Sequence, residues 1–161
     1  RVGRRKEDLQ AGVPEDEVTY FTMAQYGLKP YSSSIIVRKD YAAENPDIVK
    51  GFIAATVKGM IDMFNDPGAG IALLKKQEPL IDVEIETARW YLAEELALLT
   101  PEVLKNGISV VDRERYETAA TQVAGAFDLP IKPNMDDYYD SSFLPALDLR
   151  QIPQAVKDRV K

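Results

Sequence analysis

The side chains able to do chemistry are unevenly spread along this sequence. Two tyrosines and three consecutive hydroxyls, Tyr26, Tyr31, Ser32, Ser33 and Ser34, fall together in a stretch punctuated by Gly27 and Pro30. Such a set offers aromatic faces that stack on a ring and hydroxyls that satisfy its polar edge. The plainer alternative is serines in a loop and tyrosines packed at a domain edge, with Gly27 present for its backbone conformation. Trp90, the single tryptophan, lies beside Arg89 and Tyr91; it suits a core or packing role, or a platform for a ligand. Asp136, Asp137 and Asp140, with Tyr138 and Tyr139, offer oxygens to a hard cation but lack the glycine and spacing of a calcium loop. They read as a solvated acidic loop.

The missing residue types are as informative. There is no histidine and no cysteine. That removes histidine general bases, Ser-His-Asp triads, thiol nucleophiles, disulfides and most zinc sites. The 26 acidic residues include no pair set in a catalytic motif. The sequence therefore predicts no catalytic residue, no metal and no cofactor. A formal net charge of −6 argues against nucleic acid as a partner. Arg1, Arg4, Arg5 and Lys6 form a basic cluster that reads as a solvated end. No apolar run approaches the roughly 20 residues of a membrane span.

The elements that would position these residues are mostly helical. A short helix is expected over residues 4–11, closed by Gly12, and then a strand over 17–22 with Val18, Tyr20 and Thr22 on one face. Residues 24–31 read as a loop and 32–38 as a second, buried strand carrying Ile35, Ile36 and Val37. Asn45 and Pro46 start a long helix whose apolar face is Val49, Phe52, Ile53, Thr56, Val57, Met60, Ile61 and Phe64. Gly51 and Gly59 within it each cost about 1 kcal/mol relative to alanine, which close backbone packing would justify. The expected helices beyond it are 69–76, an Asp82-capped helix with an Ile85, Ala88, Leu92, Leu96, Leu99 stripe, and a brief one started by Thr100-Pro101-Glu102 and stopped by Gly107. An Asp112-capped helix follows, turning Tyr116, Ala119, Ala120, Val123 and Phe127 inward. Residues 138–147 read as a loop with one helical turn, and the tail from Arg150 as marginally helical. Two strands do not make a stable sheet, so this pattern calls for further strands from elsewhere.

The order of motifs resembles a known family. Leu9-Gln-Ala-Gly-Val-Pro-Glu-Asp-Glu-Val18, Gln25-Tyr-Gly-Leu-Lys-Pro-Tyr31, Ile35-Ile-Val-Arg-Lys-Asp-Tyr41 and the helix start Glu44-Asn-Pro-Asp-Ile-Val-Lys-Gly-Phe-Ile-Ala-Ala-Thr-Val-Lys-Gly59 carry the likeness. Asp66-Pro67, Leu99-Thr-Pro-Glu-Val103, Asn106-Gly107, Val111-Asp112 and Ser142-Phe-Leu-Pro145 continue it in order, so that it spans about residues 9–147. Together they are similar to the second half of periplasmic binding proteins for thiamine-pyrimidine precursors, aliphatic sulfonates, taurine and nitrate. The phrase around Tyr26 to Val37 looks closest to the pyrimidine branch, although Lys29, Pro30 and Ser32 stand where that branch has Asp, Leu and Gly.

The resemblance implies an α/β fold of the type II periplasmic binding protein kind, two lobes around a ligand cleft. This chain would be its mostly helical C-terminal part, with about two strands. Residues 1–31 would end the second lobe and approach the hinge. Residues 32–147 would hold the return strand and C-terminal helices, and 148–161 a charged tail. The implied function is the extracytoplasmic or periplasmic solute-binding component of an ABC-type importer, held near the membrane by a signal or lipid anchor outside this sequence. Its partners would be a small solute, a membrane permease and the N-terminal half of the same protein. The ligand residues would be Tyr26, Tyr31, Ser32, Ser33 and Ser34, with Trp90 as an additional platform. The alternatives are a helical interaction module that completes its sheet with another chain, and a pyrimidine-forming enzyme, whose histidine and cysteine-rich motif this segment cannot supply.

Overall fold

The structure, a computed structural model, describes residues 21–130 and 134–159. The helix expected at 4–11, the basic cluster Arg1, Arg4, Arg5 and Lys6, and most of the strand expected at 17–22 lie outside the described residues. The α-helices are α1 Lys39–Glu44, α2 Pro46–Asn65, α3 Pro67–Gln77, α4 Val83–Ala93, α5 Pro101–Asn106, α6 Arg113–Ala126 and α7 Gln154–Arg159. Single 3₁₀ turns stand at Met23–Tyr26, Met135–Asp137, Ser141–Phe143 and Leu147–Arg150.

Local chemistry explains most helix starts. The Asp66 carboxylate accepts the Ala69 N–H at 3.0 Å ahead of α3. Asp82 takes the Glu84 and Ile85 N–H groups at 2.8 and 3.1 Å ahead of α4, and Asp112 takes the Arg115 N–H at 2.8 Å ahead of α6. Each cap satisfies a donor that the first turn leaves open, and each is worth about 1 kcal/mol. Pro67 and Pro101 occupy first-turn positions where no N–H is needed. Asn45 behaves differently from the expected cap. Its side-chain amide donates to the Tyr41 carbonyl at 3.3 Å, closing the short α1 rather than opening α2.

Three expectations are corrected. Residues 32–38 form no strand, and the described residues contain none. Ile35, Ile36 and Val37 are 52, 92 and 39% exposed rather than buried; a strand needs a laddered neighbour, and no described residue supplies one. Gly51 and Gly59 have open space where a side chain would stand, so no close backbone contact accounts for them among the described residues. The stripe beyond Leu92 slips because α4 runs into a π turn at Glu94–Leu98, closed by Leu99 N–H to the Glu94 carbonyl at 2.9 Å. The wider turn breaks the 3.6-residue period, leaving Leu96 exposed while Leu99 and Glu94 are buried.

The chain divides into two units. The first comprises, of the described residues, 54–109 and 145–159. Its core is Val57, Phe64, Ile71, Leu99, Ile108, Ile152 and Val156. Phe64 and Val156 are wholly buried; enclosing each stabilises the fold by roughly 1.5–3 kcal/mol. Helix α3 packs against α4. Arg150 fastens the end of α5: its guanidinium donates to the Asn106 carbonyl at 2.8 Å, and its own carbonyl accepts the Ile108 N–H at 2.9 Å.

The second unit comprises 21–53 with 110–130 and 134–144. Its buried apolar residues are small or medium, namely Ala42, Val49 and Ala119. Several large ones, Phe21, Tyr26, Ile36, Phe52 and Phe127, are more than half exposed. Val123 and Phe127, expected to face inward, are 41 and 73% exposed. In this unit α6 packs against the Met135–Asp137 turn, where Arg113 bridges Glu117 and Asp136.

Candidate functional site

The candidate site lies in the second unit, on the stretch from Phe21 to Ser34. Thr22 and Gln25 form a reciprocal capping box that nucleates the Met23–Tyr26 turn. The turn closes at Gly27, whose φ of 86° is a left-handed conformation that favours glycine. This geometry leaves Tyr26 71% exposed, with the Phe21 ring beside it at a centroid distance of 6.4 Å.

Tyr31 is held far more firmly. Its hydroxyl oxygen accepts the Asp112 main-chain N–H at 2.8 Å. The Arg115 guanidinium lies over its ring, 4.1 Å from the centroid. The same guanidinium donates through Nε to the Lys29 carbonyl at 3.0 Å and through Nη2 to the Pro30 carbonyl at 3.4 Å. The first turn of α6 therefore grips the loop: Asp112 caps the helix with its side chain and holds Tyr31 with its backbone, while Arg115 spans Lys29, Pro30 and Tyr31. A cation on an aromatic face with two carbonyl acceptors suits the planar guanidinium and not an ammonium. The guanidinium covers one face of the Tyr31 ring. Ser32, Ser33 and Ser34 follow directly and are exposed.

Trp90 belongs to the first unit. Its ring packs on Phe64 at 5.4 Å, and its indole N–H donates to the Glu94 carboxylate at 2.7 Å. It is half-buried and engaged in packing.

The acidic loop is organised by its own neighbours. Arg113 holds the Asp136 carboxyl below the ordinary aspartate range, chiefly by hydrogen bonding. Hydrogen bonds from the Ser142 side chain and backbone do the same for Asp140. Burial pushes the Tyr116 hydroxyl up. No group of three or more acidic side chains able to hold a metal ion occurs among the described residues.

Sequence reading found Tyr31 and Asp112 separately but missed Arg115, which joins them. Arg115 sits among the exposed charges of an ordinary amphipathic helix, and nothing local marks a partner 86 residues away. Glu94 was missed likewise; a lone acid on a helix carries no sign that it is buried.

Residues 5–69 match the family described as NMT1/THI5 like. The match includes Tyr26, Tyr31, Ser32, Ser33 and Ser34 and supports, for that stretch, a place in the solute-binding superfamily. No curated protein and no solved structure matches the chain. Among the described residues no helix is long and apolar enough to cross a membrane.

Proposed function

We propose that this chain is part of the extracytoplasmic solute-binding component of an ABC-type importer, acting without catalysis. It would capture a small solute non-covalently by lobe closure and present it to a membrane permease. The observation that carries the reading is the NMT1/THI5-like match over residues 5–69, which contains the Tyr26 to Ser34 stretch with its stacking faces and clustered hydroxyls. Tyr31, gripped on one face and followed by Ser32, Ser33 and Ser34, suits a flat solute with a polar edge. A substituted pyrimidine fits that chemistry first, and a sulfonate or nitrate second. The type II binding-protein fold, with an N-terminal half supplying the remaining sheet, belongs to the same proposal.

The test is a thermal-shift panel on the whole protein with an aminopyrimidine, taurine and nitrate. A solute at 100 times its Kd raises stability by about 2.7 kcal/mol through mass action. No shift with any solute, together with turnover of a candidate precursor, would sink the reading in favour of an enzyme.

A second reading is favoured by the exposure of Ile35, Ile36 and Val37: a helical interaction module that pairs this segment with a different chain. It predicts a defined hetero-oligomer and no solute binding by the whole protein.

A further inference from the structure

Resting on the solute-binding reading, we propose that Phe21 contacts the solute, forming with Tyr26 a two-ring platform for a flat heteroaromatic ring. Phe21, Met23 and Tyr26 are each more than two-thirds exposed, three large apolar side chains within residues 21–26. The Phe21 and Tyr26 rings stand 6.4 Å apart, tilted by 38°. At that separation aromatic rings attract and orient one another, yet both of these remain mostly open. Met23 and Tyr26 are three residues apart in a 3₁₀ turn, a spacing that puts side chains on one face. The Met23 thioether adds a polarisable contact that adapts to a ring.

The backbone under these side chains is fixed. The Thr22 N–H donates to the Gln25 side-chain oxygen at 3.1 Å. The Gly27 and Leu28 N–H groups donate to the Ala24 and Met23 carbonyls at 3.2 and 3.1 Å. A preformed turn reduces the ordering cost of binding. Apolar exposure grouped in this way marks a binding surface, and its composition selects what binds. The exposed Ile35, Ile36 and Val37 are aliphatic and suit a packed core face. Two rings, a thioether and the Tyr26 hydroxyl suit a planar ring with a polar edge. The turn lies within residues 5–69, the stretch with the NMT1/THI5-like match. Taurine and nitrate have no ring to lay on such a platform.

The experiment measures equilibrium binding of an aminopyrimidine, taurine and nitrate by the whole protein, as wild type, Phe21→Leu, Phe21→Tyr and Tyr26→Leu. Melting temperatures are recorded without solute. The expected result is aminopyrimidine binding by wild type and a loss of about tenfold in Phe21→Leu and in Tyr26→Leu. Phe21→Tyr keeps the ring and with it near-wild-type affinity. The solute-free melting temperature changes little in all three variants, because an exposed side chain gives up little when replaced. Full affinity in Phe21→Leu overturns the contact and leaves the solute-binding reading standing. Equal losses in Phe21→Leu and Phe21→Tyr overturn stacking by the ring. A marked fall in the solute-free melting temperature of Phe21→Leu shows the ring covered by the rest of the protein and overturns the platform. Binding of taurine or nitrate without the aminopyrimidine overturns the ring assignment. Absence of binding by wild type to every probe overturns the solute-binding reading and the platform with it.

Discussion

The Trp90 indole N–H donates to the Glu94 carboxylate at 2.7 Å, from one helical turn away, and that carboxylate is only 4% exposed. Arg159 reaches both Glu94 oxygens from α7, at 3.3 and 3.4 Å, and donates as well to the Phe64 carbonyl at 3.3 Å. The buried acid thus ties the π turn to the last described helix. Glu94→Ala strands the indole N–H and removes the counter-charge, so it is expected to cost about 2–4 kcal/mol. The Arg159 side chain is 41% exposed, where water screens the attraction, so Arg159→Ala should cost less, about 1 kcal/mol. Urea unfolding followed by the fluorescence of Trp90 measures both. Equal costs would show that the ion pair, and not desolvated hydrogen bonding, carries the effect.

Two glycines should respond to alanine in opposite directions. Gly107 sits at φ 80°, and a methyl group there would meet the Arg150 carbonyl oxygen at 2.8 Å. That carbonyl already accepts the Ile108 N–H at 2.9 Å, so it cannot retreat without loss. Gly107→Ala is expected to destabilise by about 2 kcal/mol or more. Gly59 is inside α2, with nothing in the way of a side chain; Gly59→Ala should stabilise the chain by about 1 kcal/mol. Thermal melts of the two variants check the pair, and destabilisation by Gly59→Ala would show a close neighbour at that position.

What could be read from the sequence was what is local. Asp82, Asp112 and Thr100 announce helix starts because a cap acts within three residues, and Gly27 announces a turn because only its own φ is at issue. Periodicity located α2, where Val49, Val57 and Phe64 are buried, but Phe52 of the same expected face is 61% exposed. It failed past Leu92, where the π turn adds to the repeat. It also failed for Phe127, whose exposure depends on what stands opposite. Residues 32–38 look like a strand because β-branched residues suit one, but a strand exists only with a partner. The candidate site was half legible for the same reason: Tyr31 and the serines are contiguous, whereas Arg115 meets them only through the tertiary fold.

The Arg113–Asp136 pair gives the second unit a dependence on acid. Asp136 titrates below the ordinary aspartate value of about 3.9 because Arg113 hydrogen-bonds its ionised form. The unfolded chain then binds more protons than the folded one just below that value. The pair's contribution is therefore present above about pH 4 and is lost as pH falls through the depressed folded value. Both groups are exposed, so the contribution is small and salt-sensitive. Carboxyl titration by NMR should place Asp136 below a free aspartate, and Arg113→Ala should return it to about 3.9. Tyr116 runs the other way: burial raises its value above about 10, so its contribution is lost only as pH rises past that point.

Ile36 separates the chain's own stability from its need of a partner. It is 92% exposed, so Ile36→Lys gives up little buried surface in this chain and should shift its unfolding free energy by no more than about 0.5 kcal/mol. If residues 32–38 pair with strands from the rest of the protein, the same lysine is placed in a buried position. There it costs several kcal/mol unless it finds a counter-charge. The measurement is the melting temperature of this chain alone against that of the whole protein, each with and without Ile36→Lys. Indifference in the first and a large drop in the second is the outcome expected of a segment completed by its own N-terminal half. A drop in neither, together with loss of a hetero-oligomer, would assign residues 32–38 to a different chain. That outcome would leave the interaction module as the better account of the exposed isoleucines.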